Sequence, residues 1–112
     1  MPKEYRVEIT RSAERDAVGI YEQIERKSRE RAVKWFAEIE RQMQTLSRFP
    51  TRCPVIPEAD EIGAEYRHLI WGNYRTIFRI EGSIAYVVRV IHGARLLDPD
   101  TLEISKSPNS DD

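Results

Sequence analysis

Five arginines fall between residues 66 and 95 (Arg67, Arg75, Arg79, Arg89 and Arg95), against one acid, Glu81, and no lysine. Arginine without lysine favours bidentate contact with phosphate or carboxylate over a diffuse cationic surface. Such a segment could grip a phosphodiester backbone or an acidic protein groove. Outer-face arginines paired with helix glutamates would give the same composition, which weighs the two readings about evenly. His68 and His92 are the two side chains whose ordinary titration lies near neutrality. Either could move a proton in RNA cleavage by 2′-hydroxyl attack on the adjacent phosphate. A half-buried, hydrogen-bonded histidine is the commoner use of that residue on a strand. No metal centre is expected from two histidines without a nearby Asp or Cys. No cofactor is expected either, because Gly-rich phosphate loops, nucleophile elbows and paired carboxylates are missing from the sequence. Cys53, between Arg52 and Pro54, reads as a packed residue rather than a nucleophile. Tyr66, Tyr74 and Tyr86 could stack on bases, but strand aromatics are core first.

The elements that must position these residues are legible from periodicity. Residues 5–10 alternate apolar with charged, the period of a half-buried strand. Ser12 reads as a helix N-cap, with Glu14 and Asp16 in the first turn, where the helix dipole favours anions. Ala13, Ala17, Ile20, Tyr21 and Ile24 follow at helical spacing, to about Arg26. Ser28 caps a longer helix whose stripe is Ala32, Trp35, Phe36, Ile39, Met43 and Leu46, ended by Pro50. The short break predicts an antiparallel helical hairpin. Residues 49–61 hold Pro50, Pro54 and Pro57 without periodicity and read as an ordered surface loop. Gly72-Asn73 and Glu81-Gly82 then divide residues 66–71, 74–80 and 83–91 into a three-stranded antiparallel meander. The last strand is apolar on both faces, as a central strand should be.

The expected class is therefore α+β: an N-terminal strand, a two-helix hairpin and a three-stranded meander, with both helices on one face of a four-stranded sheet. The opposite sheet face is expected to stay open and to carry any site. The chain of 112 residues suits one domain over residues 1–100, with residues 101–112 a polar, mobile tail. Its net charge of -1 conceals the basic segment, because residues outside it are acidic in balance. No apolar run approaches the ~18 residues that would span a bilayer. The start has no signal-peptide pattern, so a cytoplasmic location and no membrane partner are expected.

Several stretches taken together are familiar. Leu46-Ser47-Arg48-Phe49-Pro50 is followed by Arg52-Cys53-Pro54 and Tyr66-Arg67-His68-Leu69. Gly72-Asn73-Tyr74-Arg75-Thr76-Ile77-Phe78-Arg79-Ile80 and Val88-Arg89-Val90-Ile91-His92-Gly93-Ala94-Arg95 complete the set. Over residues 5–97 the chain resembles the RelE/ParE toxin superfamily, with its order of elements. The resemblance implies the toxin half of a type II toxin–antitoxin pair, which stops growth when a less durable antitoxin is lost.

It also implies two alternative activities. RelE-like members cut messenger RNA in the ribosomal A site, using basic sheet residues and a C-terminal tyrosine. Arg75 and Arg95 match two of those basic positions and Arg67 a third, with His92 a candidate for proton transfer. Leu69 stands at another basic position, and Leu96-Leu97-Asp98-Pro99 supplies no tyrosine. ParE-like members inhibit DNA gyrase, which requires a binding surface and no catalytic constellation. The ending around His92-Gly93-Ala94-Arg95 and the proline loop resemble the ParE and plasmid-stabilisation branch, so a gyrase binder is the slight preference. The ribosome-dependent endonuclease is the alternative, and a non-toxic orphan domain a third. The arginine face would then be a target-binding surface of Arg67, Arg75, Arg79, Arg89 and Arg95. A cognate antitoxin could add a strand to a sheet edge or lay a helix beside the hairpin. That hairpin could equally support a homodimer or a toxin–antitoxin hetero-oligomer.

Overall fold

The computed structural model describes residues 4–93, so Arg95 and the tail at 101–112 lie outside the described residues. The alternating N-terminal stretch forms β1 (Arg6–Ile9), and the chain then turns directly into α1 (Arg11–Glu25). The cap is Thr10 rather than Ser12. Thr10 Oγ1 accepts from the Ala13 amide at 3.3 Å and donates to the Val88 carbonyl at 3.4 Å, so the cap also ties the helix start to the sheet. Ser28 caps α2 (Arg29–Gln44) by accepting from the Arg31 amide at 3.1 Å.

Ala13 and Ala17 are small and buried, which lets α1 lie close to the sheet. Tyr21 meets Phe36 edge-on at 5.8 Å and joins the two helices. Their stripes pack with Phe78, Ala85, Val87 and Val90 in one core between hairpin and sheet.

The strands after the loop are β2 (Arg67–Trp71), β3 (Tyr74–Glu81) and β4 (Ile84–His92). Sheet order is β1-β4-β3-β2, with β1 parallel to β4 and the other pairs antiparallel. β4 is central, as its apolar faces require. The second turn sits one residue later than expected: Glu81 pairs with Ile84, leaving Gly82-Ser83 as the two-residue connection. Gly72 and Gly82 each open their turn at positive φ, 58° and 60°, the conformation that fits glycine at the first position of a tight hairpin. The β3–β4 register slips between Ile77 and Phe78, so Val88 and Arg89 stand against Ile77.

The second face of the sheet is not open, which corrects the expectation. Residues 53–66 cross it and include a short helix, α3 (Ala59–Ile62). Ile56 and Tyr66 from this loop bury with Ile77, Val88 and Ile91 in a second core, flanked by Ala59, Ile62 and Tyr86. The Ile56 amide donates to the Tyr66 carbonyl at 2.9 Å, and His68 N–H donates to Pro54 O at 3.2 Å, closing the loop onto the β2 edge. The cause is β4 itself: apolar residues on both faces need cover on both faces. Two short 3₁₀ turns, Thr45–Ser47 and Pro50–Arg52, lead from α2 into the loop. Between them Phe49 takes φ 47° and ψ 54°, a left-handed conformation of order 1–3 kcal/mol for a bulky residue.

Candidate functional site

Arg75, Ile77 and Arg79 share one face of β3, as their spacing requires, but the loop lies over Arg75. Its guanidinium donates to Glu58 Oε1 at 3.3 Å and Oε2 at 2.7 Å, a bidentate pair in which Arg75 is 5% exposed and Glu58 9%. The same Nη1 lies 3.1 Å from His68 Nδ1. A guanidinium only donates, so Nδ1 accepts and His68 carries its proton on Nε2. Burial, followed by the positive charge of Arg75, holds the His68 pKa below its ordinary value of 6.5, and Glu58 only partly offsets them. His68 is thus a neutral, buried partner, the bland alternative for a strand histidine.

The remaining arginines are engaged by different elements. Arg67 donates to the Cys53 carbonyl at 2.6 Å and the Thr51 carbonyl at 3.3 Å, and pairs with Glu65 at 3.0 Å. It therefore fastens the start of the loop to β2. Arg79 lies 4.5 Å over the Tyr86 ring and is paired with Glu81. Arg67 and Arg79 border one hollow of about 400 Å³ with Thr51 and Glu65. Arg89 is bound bidentately by Asp16 of α1, at 2.6 and 3.1 Å. Asp16 also accepts from the Val90 amide at 2.9 Å. It serves as a clasp between α1 and β4 rather than as a first-turn anion.

The five arginines do not form one guanidinium cluster on a bare sheet. Arg67 and Arg79 come together, Arg75 is buried against Glu58 of the loop, Arg89 faces α1, and Arg95 lies outside the described residues. The acids that engage them are Glu58 and Glu65 from the loop, Glu81 from the end of β3 and Asp16 from α1. His92 is exposed, meets Tyr74 edge-on at 5.5 Å, and lines a cavity of about 290 Å³ with Arg15, Asp16 and Gln23. Cys53 is buried, and burial pushes its thiol pKa up, the opposite of an activated nucleophile. Among the described residues no group of three or more His, Cys, Asp or Glu side chains could hold a metal ion.

Sequence reasoning missed Glu58 and Asp16. Glu58 lies in a proline-rich loop where a solvated acid is the default, and its only sequence signal is the unbalanced arginine count downstream. Asp16 had an adequate helical explanation already.

The fold is shared with chains of solved toxin–antitoxin systems. The chain is similar in structure to one from the chromosomal ParDE toxin–antitoxin system of P. aeruginosa, with a TM-score of 0.63 at 20% identity, covering 80% of this chain and 97% of that one. It is also similar to a chain of the RelBE2 toxin–antitoxin complex of Mycobacterium tuberculosis, with a TM-score of 0.55 at 27% identity, covering 82% and 94%. No curated protein sequence matches it. Over residues 7–97 the sequence fits the family model of the ParE toxin of the type II toxin–antitoxin system parDE. The chain belongs to the ParE toxin family, and its role is that of a growth-inhibiting toxin neutralised by an antitoxin. Among the described residues, no helix is long and apolar enough to cross a membrane.

Proposed function

We propose that this toxin arrests growth by binding DNA gyrase in the cytoplasm and not by cutting messenger RNA. The observation that carries the reading is the state of Arg75. A ribonuclease built on this strand would need that guanidinium free to stabilise charge on a phosphate. Here it is buried, bidentately neutralised by Glu58 and bonded to a neutral histidine. Arg75 and Arg89 are held bidentately by the enclosed acids Glu58 and Asp16, while Arg67 and Arg79 border one hollow with exposed acids, Glu65 and Glu81, as partners and are the members of the segment suited to target contact. A binding inhibitor needs only such a surface. Similarity to the RelBE2 chain favours the second reading, a ribosome-dependent endonuclease, which would draw on exposed His92.

Expression without antitoxin separates the two. Within the first minutes, plasmid supercoiling should change while messenger RNA stays intact. Early A-site cleavage with unchanged supercoiling would overturn the gyrase reading.

A further inference from the structure

Phe49 has the features of a contact residue. It is the only non-glycine residue at positive φ among the described residues, and the proline after it restricts its backbone further. Its side chain is 62% exposed, more than any other large hydrophobic residue described. The turn is nevertheless firmly held. Arg52 Nη1 donates to the Arg48, Phe49 and Thr45 carbonyls at 2.6, 3.1 and 3.4 Å, and its Nη2 donates to Thr45 Oγ1 at 3.1 Å. Four hydrogen bonds from one side chain keep an aromatic ring pointing outward in a conformation the backbone disfavours. That is preorganisation for binding. Beside the ring lies a hollow of about 570 Å³, lined by Phe49 and by Arg41, Arg48 and Arg52, with no acidic residue in its lining.

We propose that this turn is a docking point for an acidic segment of the antitoxin, one apolar side chain resting on Phe49 and a carboxylate meeting Arg48 at the rim of the hollow. The proposal rests on the chain being an antitoxin-neutralised toxin. Charge complementarity selects an acidic partner. With a net charge of -1, and Arg41 already bound to Glu38, the toxin offers a nucleic acid little long-range attraction, so a protein segment is favoured.

The test uses the toxin and its cognate antitoxin. In Phe49→Gly the new residue suits positive φ, so the variant should melt near the wild-type temperature. Its affinity for the antitoxin should fall roughly 30-fold, as for loss of an aromatic anchor. Arg48→Glu should also weaken binding, with a deficit that shrinks at high salt. Growth arrest by free Phe49→Gly toxin should match wild type. Unchanged antitoxin affinity in Phe49→Gly would overturn the proposal. Full affinity with lost growth arrest would overturn it too, assigning the turn to the target. If wild-type toxin failed to bind the antitoxin, the toxin–antitoxin reading would fall and the proposal with it.

Discussion

Arg75 shows how a residue's neighbours change its meaning. On sequence it is one of a run of strand arginines beside a familiar motif. In the fold it completes a buried triad with Glu58 and His68. Removing one member of a buried ion pair leaves the other charged and unpaired, at a cost of about 3–5 kcal/mol. Arg75→Ala should therefore lower unfolding free energy by about that amount, read from urea denaturation. A variant as stable as wild type would show that Glu58 finds another partner. His68 adds a pH dependence. Its folded pKa is lowered, so below the ordinary value of 6.5 the unfolded chain binds more protons than the folded one. Stability contributed here is complete above that value and is lost as pH falls through and below it. The melting temperature should drop between about pH 7.5 and pH 5.5, and His68→Gln, which can still accept from Arg75, should flatten that drop.

Among the elements, the helices and strands were legible because their periodicity is dictated by burial on one face. The two alanines of α1, the Trp35 stripe and the double-sided apolar pattern of β4 all sit where those patterns require. The cover over the second face was harder to read. Residues 53–66 have no period because they make an irregular crossing, and their burial comes from isolated Ile56 and Tyr66. Yet β4 carried the hint: a strand apolar on both faces demands a second layer. Long-range polar contacts such as Asp16 to Arg89 span most of the chain and leave no local signal. That clasp should matter for docking α1. Asp16→Asn keeps the shape but removes the charge, and should destabilise by about 2 kcal/mol, the scale of charge-assisted hydrogen bonds. Hydrogen exchange should speed at the Val90 amide, which Asp16 accepts from. Unchanged exchange there would mean that the helix is held by its apolar face alone.

For the molecule as a whole, an even charge balance and a sheet covered on both faces fit a protein that works by surface contact. The family was legible because its motifs are also the fold's fixed points: the Phe49-Pro50 bend, the Gly72 turn and the Arg75 strand. The arginine segment was legible as a cluster in sequence and dispersed in space, because the loop and α1 supply acids that composition could not assign to it. The most direct measurement adds purified toxin to DNA gyrase and relaxed plasmid and follows supercoiling, with and without antitoxin. Inhibition that the antitoxin relieves is the predicted result. Uninhibited gyrase, together with A-site cleavage of messenger RNA on ribosomes given the same toxin, would contradict it.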